Sequence, residues 1–218
     1  MEKAINNPCS LNHELKWQRR SEFRSAEILD AALSLFVEKG FRATKIADIA
    51  NEAGVAKGTV YLYFKNKEDI FISMVRELMI PEIERVEIQV ADYEGNYTEL
   101  LVHILQQWWN TINEKKLCGM PKLMVSEAAN FPKLAEYYVT NVIHRSLAVV
   151  ATVIKLGMVA GEFKVCDPDV TARVIISPLA YLAIWSHSLK PFDSQQMDTD
   201  VYISQQIDLV LNGIRTEP

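Results

Sequence analysis

A basic excess is missing from this chain: 23 Lys and Arg stand against 28 Asp and Glu, a net charge of −5. Nucleic-acid contact, if any, must therefore be local rather than spread over the whole surface. Glycine and proline are scarce, eight of each in 218 residues. That is too few for a fibrous or disordered chain, or for a sandwich of many short strands and turns. Cysteine is scarcer still. Cys9, Cys118 and Cys166 are odd in number and lack C-x-x-C spacing, which argues against a disulfide framework and predicts reduced thiols in a cytoplasmic protein. The most apolar stretch, Val174–Trp185, is broken by Ser177 and Pro178 and falls short of the ~20 residues of a membrane span. Residues 1–20 lack the apolar core of a signal peptide. His103, His144 and His187 have no metal-ligand spacing, and no His pair accompanies Cys118 or Cys166. No metal and no cofactor is expected. The chain also lacks the G-x-S-x-G, H-E-x-x-H, Walker and G-x-G-x-x-G patterns, and Glu127 and Glu136 stand alone. An enzyme is not expected.

What remains is helical period almost everywhere. Leu29, Ala32, Leu33 and Phe36 repeat at i, i+3, i+4, i+7, and Gly40 stops that run. Ile46, Ile49, Ala50 and Ala53 repeat it, and Gly54 ends it. Asn66, followed by Glu68 and Asp69, caps a longer helix that Pro81 should kink or interrupt. Further helices are predicted over about 97–116, from Pro132 to about Val159, from Asp167-Pro168 to near Leu189, and from Asp198 or Thr199 to about Ile214. A short extended piece fits Phe163–Cys166. The fold class is all-α, with about nine helices. Three regions are expected: a flexible basic arm over 1–20, a DNA-binding domain over 21–80, and a body over 81–218.

Charge is divided unevenly between these regions. Residues 16–67 hold ten basic and six acidic side chains, whereas 81–218 hold 11 and 17. The local positive patch coincides with a specific pattern. In TKIADIANEAGVAKGTVYLYF (44–64), Thr44 is expected to cap a first helix, Lys45–Ala53. Gly54 makes a turn, and a short second helix follows from about Ala56 to Phe64. This is a helix-turn-helix, whose second helix enters the major groove. On that helix Val60 and Phe64 share the face that must bury. The opposite face carries Gly58, Thr59 and Leu62, flanked by Tyr61 and Tyr63. Gly58 clears space for close backbone approach. Thr59 suits a phosphate or a thymine methyl, and the tyrosines can donate to phosphates. Lys57 can reach a base edge, and Lys67, opening the next helix, a phosphate. Upstream, Arg20 and Arg24 are placed for phosphates or the minor groove, with Lys16 and Arg19 nearby.

The segment AEILDAALSLFVEKGFRATKIADIANEAGVAKGTVYLYFKNKEDIF resembles the TetR/AcrR family of transcriptional regulators over Arg24 to about Met74. The resemblance implies a homodimer with one three-helix DNA head per subunit, an all-helical body that binds a small effector, and repression relieved by that effector. It places Thr44, Lys45, Lys57, Gly58, Thr59, Tyr61, Tyr63 and Lys67 at DNA-facing positions. Two residues depart from the family pattern: Ala47, where relatives often carry a basic residue, and Ala56, where they often carry Ser.

Beyond Met74 the resemblance thins to KLMVSEAANFPKLAEYY and GEFKVCDPDVTARVIISPL. An apolar effector pocket with a few polar groups is expected among Trp108, Trp109, Ile112, Met120, Met124, Glu127, Phe131, Tyr138, His144 and Trp185. Val174–Trp185, with Val201, Ile207, Val210, Leu211 and Ile214, is expected to supply the dimer surface. The partners implied are a double-stranded operator, a second copy of the chain and a small-molecule effector, with no membrane. The alternative is a head that binds DNA constitutively or answers to a partner protein.

Overall fold

The computed structural model describes the backbone of residues 8–114, 117–195 and 197–216, and side chains from residue 23 onward within those limits except at residue 114. Eleven α-helical segments follow one another. They are α1 (Pro8–Lys39), α2 (Ile46–Glu52), α3 (Lys57–Tyr63), α4 (Lys67–Met74), α5 (Ile80–Ala91), α6 (Tyr97–Glu114), α7 (Met120–Glu127), α8 (Pro132–Tyr138), α9 (His144–Val159), α10 (Pro168–Ser186) and α11 (Thr199–Ile214). Two junctions are single π-helical stretches rather than breaks, Val75–Met79 between α4 and α5 and Val139–Ile143 between α8 and α9. Counted as continuous rods the described helices number nine, and the fold is all-α. The described residues form no strand, only one isolated antiparallel bridge between Phe163 and Arg215.

Local chemistry accounts for these boundaries. The carboxylate of Asp167 accepts hydrogen bonds from the backbone N–H groups of Asp169 and Val170, each at 3.0 Å, and Pro168 fills the first helical position of α10. Asp198 does the same for α11. Pro81 perturbs the α4–α5 rod without breaking it, by a definite route. It lacks an N–H for the fourth-preceding carbonyl, and its ring crowds that carbonyl. The ladder widens just before it, with the Ile80 N–H bonded to the Val75 carbonyl. Glu162 caps α6 from across the chain. Its carboxylate accepts the Tyr97 and Thr98 N–H groups and the Thr98 hydroxyl, all at 2.9 Å.

The chain divides into two compact units, residues 1–70 and 71–218, so the division falls inside α4. It was expected near residue 80. α1 begins at Pro8, within the segment expected to be a flexible arm.

In the first unit, Ile28, Leu29, Ala32, Phe36, Phe41, Ile49, Val60 and Phe64 form the buried core. In the second, α9 packs on α5, α6 and α10. Its Gly157 lets the buried Phe163 ring lie against the helix: a Cβ there would stand 2.3 Å from the ring. The continuous rod Pro132–Val159 is long and apolar enough to cross a membrane by length and composition. That revises the expectation drawn from apolar runs alone, in which no segment reached that length. Its inner side belongs to the protein core, with Val149, Val150, Val153 and Ile154 buried.

Candidate nucleic-acid interface and effector pocket

The helix-turn-helix is built by a few backbone contacts. Gly54 takes φ +65 in the turn, a region open to glycine at little cost. The Val55 N–H then bonds the Ala50 carbonyl at 2.9 Å. α2 is opened by Lys45, whose N–H donates to the Asp48 carboxylate at 3.0 Å. Ala56 opens α3 with no side-chain cap, as its residue type implies.

Val60 and Phe64 are buried, as α3's periodicity requires. Lys57, Gly58, Tyr61 and Leu62 are exposed, Leu62 at 83%, and Thr59 and Tyr63 are half-buried. A Cβ on Gly58 would meet no atom within 4 Å. The Lys57 ammonium lies 5.9 Å from the Tyr61 ring centroid, which places the two side chains on one side of α3. Lys45 is exposed, as is Arg24, which pairs with Glu27. The side chains of Lys16, Arg19 and Arg20 lie outside the described residues.

Two of the residues expected at the DNA have other occupations. Thr44 is 1% exposed. Its hydroxyl donates to the carbonyls of Leu35 (3.2 Å) and Gly40 (2.8 Å), closing the end of α1. It neither caps α2 nor presents its side chain outward, because the last carbonyls of α1 need a donor and Thr44 is in reach. Lys67 sends its ammonium to the carbonyls of Phe41, Arg42 and Thr44, the last at 2.8 Å, and over the Phe41 ring at 4.7 Å. It pins the start of α4 to the α1–α2 turn. Asn66 Oδ1 accepts the Asp69 N–H, and Asp69 in turn accepts the Lys65 N–H.

The second unit holds a small cavity of about 70 Å³, partly open to solvent, below the ~300–1,000 Å³ of typical small-molecule sites. α5 contributes Glu82, Ile83, Arg85 and Val86; α6 contributes Ile104, Leu105, Gln107, Trp108, Thr111 and Ile112. Val142, Ser146, Val149 and Val150 close the far side, and Met79, Leu117 and Ile176 complete the wall. Of the expected effector residues, Trp108 and Ile112 line this cavity. Trp109, Met120, Met124, Glu127 and Tyr138 are buried away from its lining; Phe131 and Trp185 are half-buried; His144 is exposed. Trp109 follows Trp108 by a 100° helical step, so the two cannot face the same way. Gln107, Thr111 and Ser146 went unnoticed in the sequence. The available signal was a polar residue on the 104/108/111 face of α6.

One ion pair braces the wall. Arg145 on α9 reaches both oxygens of Glu87 on α5, at 2.9 and 2.6 Å, and lies 3.6 Å from Glu84. The hydrogen bond from Arg145 holds the Glu87 carboxyl below the usual range. Elsewhere Cys118 Sγ stands 2.7 Å from His187 Nε2. Burial pushes the thiol up and the imidazole down, which favours a neutral pair rather than a reactive thiolate. No group of three metal-ligating side chains occurs among the described residues.

Comparison with known proteins identifies relatives of both units. Residues 28–74 match the model of bacterial regulatory proteins of the tetR family, and residues 99–211 match the C-terminal domain of AefR-like transcriptional repressors. The HTH-type transcriptional regulator YhgD of Bacillus subtilis is 30% identical over 180 residues, covering 79% of this chain and 89% of that protein. The fatty acid metabolism regulator protein of the same organism is 45% identical over 75 residues, 34% of this chain and only 38% of that protein. The crystal structure of the B. subtilis regulator FadR in complex with stearoyl-CoA has the same fold. Its TM-score is 0.67 at 24% identity, over 87% of this chain and 99% of that one.

Proposed function

Because the chain belongs to the TetR/AcrR family of bacterial transcriptional regulators, we propose that it acts in the cytoplasm as a homodimeric repressor released by a long apolar acyl thioester. The observation that carries the DNA half is the open face of α3. Exposed Lys57, Tyr61 and Leu62 surround a Gly58 with empty space before it. Such a face suits close backbone approach to a groove, with the lysine and tyrosine for phosphates or base edges. Lys45, Arg24, Thr59 and Tyr63 border it in this reading, and Arg20 is added on its place in the sequence alone.

A second copy is needed because one short helix reads few bases, and paired heads read two half-sites. The second unit offers a surface for it. Val170, Val174 and Tyr181 of α10 and Val201 and Leu209 of α11 are exposed, while Ile175, Leu179, Leu182, Ile203 and Ile207 are spent on the core of their own chain. The effector half of the reading draws on the apolar cavity, on the fatty acid metabolism regulator and on the stearoyl-CoA complex of the structural neighbour. No catalysed step is part of it.

Sedimentation of the full chain at micromolar concentration should give about twice 24.8 kDa. Footprinting on the DNA flanking its own gene should show an inverted repeat, and stearoyl-CoA should weaken that protection. A monomer without a protected repeat would overturn the proposal. Protection indifferent to every acyl thioester would leave a constitutive or partner-controlled regulator.

A further inference from the structure

The cavity wall is apolar except at a few points, and one of them is unbalanced. Gln107 lies on the inner face of α6, with Ile104 and Trp108 on the same face and Thr111 one turn on. Its Oε1 is buried and has no hydrogen-bond partner. A buried amide carbonyl without a donor is unfavourable, and an apolar residue of similar shape would avoid the penalty. The other such acceptor among the described residues is Gln206 Oε1, whose amide is held by a different bond, Nε2 donating to the Ile175 carbonyl at 2.9 Å. That amide ties α11 to α10. Gln107 lines a cavity instead.

A site that keeps an unpaired acceptor in an apolar wall favours a guest that brings the donor, and discriminates against the guest that lacks it. Thr111 on α6 and Ser146 across the cavity on α9 add two hydroxyl groups to the same wall, able to accept from or donate to the same guest. We propose that the effector is an acyl thioester with a hydroxyl on its chain, and that this hydroxyl donates a hydrogen bond to Gln107 Oε1. The inference rests on the acyl-thioester reading above and sharpens it to hydroxyacyl chains.

Calorimetric titration of the full-length protein with stearoyl-CoA, 10-hydroxystearoyl-CoA and 12-hydroxystearoyl-CoA tests it. The wild type should bind at least one hydroxy thioester more tightly than stearoyl-CoA, by on the order of tenfold. Gln107→Met keeps an unbranched side chain of similar length and removes the acceptor. It should compress that ratio to about twofold or less by gaining affinity for stearoyl-CoA, and its unliganded form should melt no lower than the wild type. Equal wild-type affinity for all three thioesters, or a preference that survives in Gln107→Met, overturns the inference and leaves the acyl reading standing. Failure of all three to bind overturns the acyl reading itself. Should Gln107→Met fail to fold, the wild-type ratio alone decides.

Discussion

The first unit is held by polar pins and its proposed DNA face lies outside; the second is held by close apolar packing and its proposed effector site lies inside. In residues 1–70 the helices after α1 are short, and Thr44 and Lys67 tie the carbonyls of Leu35, Gly40, Phe41 and Arg42, with Thr44's own carbonyl besides. Two of the positions that looked suited to DNA serve this purpose, and the face proposed for DNA is carried by α3 and its neighbours. In residues 71–218 the rods are long. Their turns are closed by caps and by ring-to-backbone contact, and the side chains with the most chemical interest border a cavity. A surface site can therefore be altered with little cost to the fold, whereas a change at the cavity must keep the shape of its wall.

That contrast can be broken most forcefully at Lys67. Lys67→Met keeps the stem over Phe41 and removes the donor to three carbonyls; it should cost about 2–3 kcal/mol, as expected for hydrogen bonds to a charged group, measured by denaturant unfolding. The salt slope of DNA binding should stay unchanged. A slope lower by about one would mean that the ammonium serves a phosphate instead.

In the second unit, Gly157→Ala should cost about 1–2 kcal/mol net, the overpacking against Phe163 outweighing the better helix propensity of Ala. A gain in melting temperature would show that Phe163 moves aside freely.

Glu162→Gln addresses the cap on α6 and should cost about 1 kcal/mol at pH 7. Burial opposes the charged form of Glu162, yet the bonds from Tyr97 and Thr98 hold its pKa below the ordinary value. The stabilisation is therefore present above the unfolded-state pKa and lost as pH falls through the lower folded one. Wild type and variant should converge in stability in acid; a gap constant down to acid would contradict the cap.

The smallest effect on stability is expected at Leu62→Ala, within about 0.5 kcal/mol because the side chain is exposed. The same variant should weaken operator binding measurably. Full affinity would remove Leu62 from the DNA face.

The same contrast explains what could be read in advance. Helix ends follow from local chemistry, so Asp167, Asp198, Asn66 and Gly54 marked them in the sequence, and the π-stretch before Pro81 follows from the proline. The face of α3 follows from Val60 and Phe64 alone, because a seven-residue helix has only one other side. Thr44 misled because a threonine before a helix has the residue type of a cap. Only the path of the chain around Gly40 shows that its hydroxyl turns back to α1. The contacts of Lys67 were hidden for a similar reason, its partners lying 23 to 26 residues away. The cavity was the least legible element. Trp108 and Trp109 are equally apolar in sequence, and which one faces the space depends on how α6 meets α5 and α9. The contribution of α5 through Ile83 and Val86 depends on that packing as well.

The central claim is that effector and operator compete for one protein. The rod Lys67–Ala91 starts beside the turn that Lys67 pins and supplies Met79, Glu82 and Ile83 to the cavity wall, which gives the two sites a continuous covalent element in common. Linkage requires the coupling to be reciprocal, typically about 1–3 kcal/mol. The direct measurement is the affinity for an acyl thioester, titrated into the full-length protein with and without a saturating operator duplex. The account predicts that the operator weakens thioester binding about 5- to 150-fold, and that the thioester weakens operator binding by the same factor. Equal thioester affinity in the two titrations would contradict it.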